Sequence, residues 1–374
     1  MKTLWVSVGE VSGDMHASHV IRELLAKDPS LHIRGIGGTY LQDAGMECIF
    51  STSLLSVMGI WDVIKRSFTI WKLIRAIKRD FQKTRPDALL VVDAPSFNFL
   101  LLRIAKKMNI PVYYYIIPKV WASRPHRVHF LSRYSHRLFC IFPFEIEWLK
   151  QYNINAYYVG NPLIGYLRAT IDTQYPHNKN SIVFMPGSRK SEIERMFPIF
   201  IEVIRILQNT RPDIEFSYIL APSIEQKSID TLIPEDISIQ AILPEHRYTA
   251  ISQASVAIVV SGTATLETTL LGIPTIATYK LGAFSAYIMK QFITIPFVSL
   301  PNIIMNKEII PELLQENATP QKIAEATLTL LDNTEERRIM KKNLSDLYQT
   351  LDTQHNPPSF IAQKILDDIT STNH

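Results

Sequence analysis

Residues 88–107 read ALLVVDAPSFNFLLLRIAKK, and in this stretch two different hydrophobic patterns are separated by a short segment that begins with a polar residue. Ala88–Val92 is short and entirely apolar, which indicates a strand buried on both faces. After Asp93-Ala94-Pro95, the apolar residues of 97–107 recur with helical spacing. A buried strand followed directly by a helix is the unit from which parallel sheets with helical crossovers are built.

The same unit recurs along the chain in two series. A polar stretch without periodicity, Ile171–Asn180, separates them and is interpreted as a linker. The sequence therefore predicts an α/β protein with two doubly wound parallel sheets, in domains 1–170 and 181–344, and a cleft for ligands at the strand carboxyl ends. The predicted strands are Leu4–Val8, His32–Ile36, Ala88–Val92, Val112–Ile116 and Arg137–Ile141, then Ser181–Met185, Glu215–Leu220, Ile237–Ala241, Val256–Val260 and Thr275–Thr278.

The composition narrows the class of protein. Of the 374 residues, 47% are hydrophobic and 20% are charged, as in globular domains with cores and unlike a disordered chain. The cysteines, Cys48 and Cys140, lack the spacing of a zinc site or a disulfide framework, which indicates reduced thiols. The N-terminus has no signal-peptide pattern, and no apolar run reaches the ~20 residues of a membrane-spanning helix. We therefore expect a cytoplasmic protein.

Two turns in the second series have the composition of phosphate-binding loops. Ser261-Gly262-Thr263-Ala264 follows a predicted strand and opens a helix, where small residues let backbone N–H groups approach an anion. Glu267, one helical turn later, is placed to accept hydrogen bonds from ribose hydroxyls. Pro186-Gly187-Ser188-Arg189 follows another strand, and Arg189 can pair with a phosphate through two N–H groups. Taken alone, the first turn is also compatible with helix capping and the second with a surface turn that carries a solvated arginine, but together they favour a nucleotide site.

Carboxylates follow the strands of the first series. Asp93, at the end of an apolar strand, can take a proton from an attacking hydroxyl group. Glu10 and Asp14 occupy the equivalent place after Leu4–Val8, where they could bind sugar hydroxyls or orient the base. Each of these carboxylates could instead cap the helix that follows. A later basic and aromatic cluster suits either an acceptor phosphate or a solvated loop; it consists of Lys119, Trp121, Arg124, His126 and Arg127.

The sequence predicts neither a metal nor an organic cofactor. It contains no Asp-x-Asp, the pair that commonly holds a metal on a nucleotide-sugar diphosphate. Helix N-termini and Arg189 are therefore expected to stabilise the leaving group. The G-x-G-like piece Gly35–Gly38 lacks the full dinucleotide fingerprint, which argues against a nicotinamide cofactor.

A basic patch is concentrated between Trp61 and Asp80. Six basic residues oppose two acidic ones there, and the resulting +4 equals the net charge of the whole chain. This concentration argues for one charged contact surface and against general nucleic-acid binding. On a helix, the apolar residues of 60–74 share one side, which is typical of an interfacial helix on anionic lipid, although a core-packed helix has the same pattern. The predicted membrane contacts are Ile60, Trp61, Ile64, Lys65, Arg66, Phe68, Trp71 and Lys72, with Ile70 and Ile74 on the same apolar side.

Seven blocks of sequence, in order, resemble those of one family. They are GEVSGD (9–14), LSVMG (55–59), DAPSFN (93–98), PKVWA (118–122), PGSR (186–189), SGTATLE (261–267) and VSLPN (298–302). The blocks resemble those of the lipid-A-disaccharide synthases, which are inverting glycosyltransferases. Asn161 stands where the family more often has His, and Ser123 where a second Trp is usual.

The resemblance implies a GT-B fold, with two Rossmann-like domains and final helices within 345–374 that cross back to the first domain. It also implies transfer of 2,3-diacylglucosamine from UDP to 2,3-diacylglucosamine 1-phosphate on the cytoplasmic face of the inner membrane. The predicted catalytic residues are Asp93 as the base, Arg189 and Glu10. The predicted substrate-binding residues are Ser12, Gly13, Asp14, Gly187, Ser188, Ser261, Gly262, Thr263, Ala264, Glu267 and Asn302.

Three other functions are compatible with a two-domain nucleotide-sugar protein. A transferase that makes a different glycolipid is the nearest of them, and only substrate assays exclude it. A UDP-N-acetylglucosamine epimerase has the same fold but needs no lipid surface, so the basic segment argues against it. A noncatalytic nucleotide-sugar sensor needs no base, so Asp93 together with both phosphate turns argues against it.

Overall fold

The computed structural model describes residues 2–52, 63–123, 125–170, 180–282, 296–353 and 355–371. The side chains of 63–69, 123, 169 and 170 are outside this description, as are residues 171–179 of the predicted linker. The chain divides into two compact units. The first comprises Met1–Pro162 with Thr353–His374, and the second comprises Leu163–Asp352.

The first unit contains a parallel sheet of seven strands in the order β3-β2-β1-β4-β5-β6-β7. Its strands are β1 Thr3–Val8, β2 His32–Gly37, β3 Glu47–Ser51, β4 Ala88–Val92, β5 Val112–Tyr115, β6 Arg137–Cys140 and β7 Ala156–Tyr158. Its helices are α1 Val11–Lys27, α2 Thr39–Asp43, α3 Val63–Thr84, α4 Pro95–Lys107, α5 Val120–Ser123, α6 Val128–Tyr134 and α7 Pro143–Lys150. The helix α8, Pro162–Thr170, begins at the boundary with the second unit.

Successive side chains of a buried, apolar strand point to opposite faces of the sheet, so both faces are apolar. Helices cover both of them. On one face Val6 and Leu90 pack with Ile21 of α1, and on the other Trp5 and Leu89 pack with Phe81 of α3. The first face also receives Ile361 and Ile365, which lie near the end of the chain. The predicted return of the last helix to the first domain is therefore confirmed.

The second unit contains a parallel sheet of six strands in the order β10-β9-β8-β11-β12-β13. Its strands are β8 Ser181–Met185, β9 Glu215–Ile219, β10 Gln240–Ile242, β11 Val256–Val260, β12 Thr275–Tyr279 and β13 Glu312–Leu314. Its helices are α9 Lys190–Thr210, α10 Gln226–Asp230, α11 Arg247–Gln253, α12 Thr263–Leu270, α13 Leu300–Met305, α14 Pro320–Asp332 and α15 Thr334–Leu351. The last helix of the chain, α16 Pro357–Ser371, belongs to the first unit. Two parallel sheets covered by helices confirm the predicted fold class.

The chain leaves the second unit after α15. The boundary that the sequence places at 344/345 falls inside this helix, whose buried Leu344, Leu347 and Leu351 continue one apolar stripe. A helix with a continuous buried stripe packs as one element, so the return to the first unit begins at Thr353.

Candidate active site

Asp93 lies on a strained turn at the carboxyl end of β4. Asp93 and Ala94 have backbone φ angles of 47° and 45°, in a region that costs an L-residue about 1–2 kcal/mol. Two side chains hold the Asp93 carbonyl oxygen: Asn98 Nδ2 donates to it at 2.7 Å and the Tyr114 hydroxyl at 2.8 Å. Ser7, on the neighbouring strand β1, fixes Asn98 by donating from Oγ to its Oδ1 at 2.7 Å. The fold therefore sets the direction in which the Asp93 side chain leaves the backbone.

The surroundings of Asp93 make its carboxylate more basic. Burial raises the pKa of Asp93 above its ordinary value, and the negative charge of Glu10 raises it further. A hydrogen bond from the Ala94 backbone and the charge of Lys119 oppose this rise. A carboxyl group with a raised pKa is suited to accept a proton near neutral pH.

Gly9 permits the Asp93 turn because it has no side chain. A Cβ at Gly9 would lie 2.3 Å from Ala94 Cβ, far inside van der Waals contact. We expect Gly9→Ala to displace the turn and to lower kcat by about 100-fold, since small misplacements of a catalytic group have effects of this size. Affinity for UDP should not change. Measuring kcat and UDP binding tests this, and Gly9→Ala with Ala94→Gly, which removes the overlapping atom, should recover activity. Equal kcat in Gly9→Ala and the parent protein would contradict it.

The other predicted residues of the first unit have different surroundings. Glu10 and Ser12 are exposed, and Gly13 is buried against Val92 and Val8. The Asp14 carboxylate is buried and accepts hydrogen bonds from the backbone of Gly38 at 2.6 Å and Tyr40 at 2.9 Å. Asp14 therefore holds the loop between β2 and α2.

A buried carboxylate that the sequence reasoning missed, Glu145, lies on α7. It accepts a hydrogen bond from Trp121 Nε1 at 3.1 Å and from the backbone N–H groups of Ile141 and Phe142 at 3.2 and 3.1 Å. Burial raises the pKa of Glu145 to about 7, against the opposing effects of these donors and of Lys119. Trp121 is thus buried against α7. In the rest of the predicted basic and aromatic cluster, His126 is exposed and the Arg127 guanidinium lies over the Phe99 ring, while Arg124 is outside the described residues.

Glu145 should make stability depend on pH. Its folded pKa of about 7 exceeds the ordinary value of 4.5, so the folded state retains a proton that the unfolded state has already released. Stability should therefore fall as pH rises from about 4.5 to about 7, by about 3 kcal/mol from this group. Urea unfolding at pH 5 and pH 8 should show this loss in the parent protein and a smaller one in Glu145→Gln. The same loss in both would contradict the assignment.

The second unit contains a cavity of about 360 Å³ at the carboxyl ends of β8, β9 and β11. Both predicted phosphate turns line it, so residues far apart in sequence meet at one edge of the sheet. The predicted residues that line the cavity are Gly187, Ser188, Arg189, Ser261, Gly262, Thr263, Ala264 and Glu267. Of the predicted residues in this unit, Asn302 is not part of the lining.

The turn at 186–189 requires its glycine and contains an internal anion. Gly187 has φ 106°, and a Cβ there would lie 2.7 Å from Glu192 Oε2. The Glu192 carboxylate accepts hydrogen bonds from the backbone N–H groups of Ser188 and Arg189 at 3.2 and 3.3 Å, and from Arg189 Nη1 at 2.7 Å. The predicted anion donors of this turn therefore bind a carboxylate of the protein, and the Arg189 side chain, 69% exposed, is paired with it.

The second turn opens α12 with Gly262 as its N-cap. Gly262 has no side chain to cap the helix, and the N-terminal end of α12 faces the cavity through Thr263 and Ala264. An uncapped helix start of this kind presents N–H groups and the positive end of the helix dipole to a ligand. Of the two turns, this end of α12 therefore has the N–H groups that no side-chain cap occupies.

Glu267 and Arg247 form a charged pair in the same cavity. Arg247 Nε lies 3.7 Å from Glu267 Oε2. Burial raises the pKa of Glu267, while the charge of Arg247 opposes the rise. Oε2 of Glu267 is buried and has no hydrogen-bond partner among the described residues. The sequence reasoning missed Arg247, because no local pattern marks an arginine at the start of a short helix as a partner of Glu267.

The side chain of Asn302 is buried and held by hydrogen bonds within the protein. Its Nδ2 donates to the Ile310 carbonyl oxygen and to Glu312 Oε1, both at 2.9 Å, and its Oδ1 accepts from the N–H groups of Ile309 and Ile310 at 2.8 and 3.1 Å. All four hydrogen-bonding positions of the amide are thus occupied within the protein. Glu312 also accepts from the backbone of Val298 and Ser299. The VSLPN block therefore holds the N-terminal end of α13, and we assign no ligand contact to the Asn302 side chain.

Helix α3 carries part of the predicted membrane surface. Ile60 and Trp61 lie outside the described residues, as do the side chains of Ile64, Lys65, Arg66 and Phe68. Ile70 and Ile74 pack against the core, since they share a face with the buried Leu73, Ile77 and Phe81. Trp71 is 53% exposed, with the Arg75 guanidinium 5.2 Å from its ring, and Lys72 is exposed. No helix among the described residues is long and apolar enough to cross a membrane.

Comparison with known proteins identifies the family. The family model described as lipid-A-disaccharide synthetase matches residues 4–365. The lipid-A-disaccharide synthase of Syntrophus aciditrophicus is 32% identical over 358 residues, covering 94% of each chain. That of Chromobacterium violaceum is 34% identical over 354 residues, covering 92% of each. The UDP-GlcNAc 2-epimerase of Neisseria meningitidis, solved with UDP-GlcNAc, is similar in fold, with a TM-score of 0.62 at 16% identity over 99% of this chain and 100% of that one. By its sequence and its two parallel sheets, this chain belongs to the lipid-A-disaccharide synthase family of glycosyltransferases.

Proposed function

We propose that this glycosyltransferase moves 2,3-diacylglucosamine from UDP to the 6-hydroxyl group of 2,3-diacylglucosamine 1-phosphate, forming a β-1,6 disaccharide and UDP. The observation that carries the proposal is the strained turn that fixes Asp93 at the carboxyl end of β4, with burial and Glu10 raising its pKa. An inverting transfer needs one base for the acceptor hydroxyl, and a carboxyl group of raised pKa meets that need.

The reaction is a single displacement. The acceptor O6 forms a bond to the anomeric carbon on the face opposite UDP, the bond from that carbon to the diphosphate oxygen breaks, and the O6 proton passes to Asp93. The negative charge left on the diphosphate is stabilised by the N-terminal end of α12 and by Arg189, which exchanges Glu192 for the phosphate. Inversion at the anomeric carbon follows from the single step.

A turnover assay tests this function. Detergent micelles would contain UDP-2,3-diacylglucosamine and 2,3-diacylglucosamine 1-phosphate, with EDTA and no divalent metal. Disaccharide and UDP in equal amounts are expected, because helix dipoles and arginine replace the metal. Product that appears only after magnesium is restored would overturn the metal-free mechanism. No product under either condition, with formation of UDP-N-acetylmannosamine from UDP-N-acetylglucosamine, would favour the epimerase that shares the fold.

We also propose that the enzyme acts on the cytoplasmic face of the inner membrane and binds anionic lipid through α3, α4 and α6. Helices α4 and α6 contain no acidic residue, and Arg103 and Arg133 are exposed on them. Phe99, Phe130 and Tyr134 form a stack with centroid distances of 4.6 and 4.4 Å. The Arg103 guanidinium lies 5.2 Å from the Phe130 ring. Helix α3, which contacts α4, carries the exposed Trp71 and Arg75. Aromatic rings and arginines together suit a lipid headgroup region.

Vesicle flotation checks this surface. The parent protein should float with phosphatidylglycerol vesicles at low salt and detach at high salt, because the contact is partly ionic. Trp71→Ala with Arg75→Gln should reduce the bound fraction several-fold, since each basic residue near such a surface contributes about 1 kcal/mol. Lys341→Gln with Lys342→Gln, at exposed positions of the second unit, is the matched control and should bind like the parent. If both double variants lose the same fraction of vesicle binding, the surface on α3, α4 and α6 is not the membrane contact.

A further inference from the structure

Glu267 presents an unusual combination of burial and unused hydrogen-bonding capacity. Its side chain is 15% exposed and lines the cavity of the second unit. Oε2 is buried without a hydrogen-bond partner among the described residues. A buried carboxylate oxygen left without a donor is costly, so such an atom points to a ligand that supplies one.

Arg247 is the cation nearest to this oxygen. Its Nε lies 3.7 Å from Oε2, which is close enough for strong attraction but beyond hydrogen-bonding distance. Oε2 therefore has no donor among the described residues, while the charge of the carboxylate is balanced.

The position of Arg247 is fixed by its neighbours. Its guanidinium lies over the Tyr248 ring, 4.3 Å from the centroid, and Nη2 donates to the Tyr248 hydroxyl. Tyr248 is buried and packs on Tyr166 at a centroid distance of 5.3 Å. A guanidinium held on an aromatic face in this way has few other positions to adopt.

We propose that Arg247 is a positioning residue that sets the preference of the donor site for ribose. It keeps Glu267 ionised and oriented, so that both carboxylate oxygens can accept hydrogen bonds from the 2′- and 3′-hydroxyl groups of a ribonucleoside diphosphate. This inference rests on the proposed function, since it needs UDP in this cavity, and it adds the residue that makes the site select ribose.

Calorimetric titration with UDP and with 2′,3′-dideoxy-UDP separates this role from others. The parent protein should bind UDP about 10- to 100-fold more tightly, as expected for hydrogen bonds from two hydroxyl groups to a charged acceptor. Glu267→Gln should bring the two ligands close to equal affinity. Arg247→Met should do the same by weakening UDP alone, and Arg247→Lys, which keeps the charge, should retain part of the preference.

Four results would overturn the inference. If Arg247→Met still prefers UDP over 2′,3′-dideoxy-UDP to the same extent, Glu267 does not depend on Arg247 for its charge or orientation. Equal weakening of both ligands would assign Arg247 to the diphosphate or to the fold, and the thermal unfolding of the variant without ligand would separate these two. Arg247→Met combined with Glu267→Gln provides a further test, because the two substitutions should not be additive if one residue acts through the other. A parent protein that binds no UDP would instead remove the proposed donor site, and with it the function.

Discussion

Asp93→Asn is expected to lower kcat by about 10²- to 10⁴-fold, the usual contribution of a general base. Asparagine has nearly the same shape and can remain on the turn that Asn98 and Tyr114 hold, but it cannot take the proton from the 6-hydroxyl group of the acceptor sugar. Turnover in mixed micelles measures the loss, and calorimetric titration with UDP should show unchanged affinity, because the donor cavity lies in the second unit. Asp93→Ala should lose at least as much activity. Normal turnover in either variant would remove Asp93 from the mechanism.

The pH dependence of the reaction provides a separate check on Asp93. The base must be ionised, so kcat/KM should fall as pH drops through the pKa of Asp93. Burial and Glu10 place that pKa above the ordinary value for aspartate. Glu10→Gln removes a negative charge, so it should lower the pKa of Asp93 and move the acidic limb of the profile to lower pH. A limb that stays in place in Glu10→Gln would show that another group controls it.

Gly35→Ala is expected to destabilise the first unit by more than about 4 kcal/mol, a loss that only severe packing faults cause. Gly35 lies in β2 beside Val6 of β1, with φ 149°. An added Cβ would lie 2.0 Å from the Val6 carbonyl oxygen and 2.8 Å from its backbone nitrogen. Because these are backbone atoms of a central strand, no side-chain rotation relieves the overlap, and the two strands must separate.

Urea unfolding measures this loss, and a second glycine serves as the control. Gly165 lies in α8 with nothing within 4 Å of an added Cβ. Gly165→Ala should therefore raise stability by up to about 1 kcal/mol, because alanine favours a helix. Similar stability in Gly35→Ala and the parent protein would contradict the packing of β1 against β2.

The central strands were predictable because their burial is uniform. Each residue of Ala88–Val92 and Val256–Val260 is buried, so an apolar run in the sequence corresponds directly to a strand. Strands at the sheet edges are short and partly exposed, and they lack such a run. Glu47–Ser51, Ala156–Tyr158 and Glu312–Leu314 were missed for this reason, and the edge strand predicted at Ile237–Ala241 lies at Gln240–Ile242.

The candidate site was predictable to the extent that it depends on strand order. Residues that follow the buried strands of one parallel sheet must meet at one edge, so the turns around Gly187 and Gly262 line the same cavity. The sequence could not predict what each polar side chain contacts there. Asp14 and Asn302 were predicted to bind substrate; Asp14 hydrogen-bonds to the backbone of Gly38 and Tyr40, and Asn302 to the backbone of Ile309 and Ile310 and to Glu312.

The sequence by itself determined the two parallel sheets, the place of Asp93 after a buried strand and the family to which the chain belongs. Apolar periodicity and short motifs in a fixed order are local properties of the sequence, so they can be recognised without knowing which distant residues are in contact. Only the tertiary structure decided that Glu192 fills one phosphate turn, that Glu145 is buried beside Trp121 and that Arg247 balances Glu267. These roles depend on which charges and donors meet in space, and burial then sets how strongly they interact.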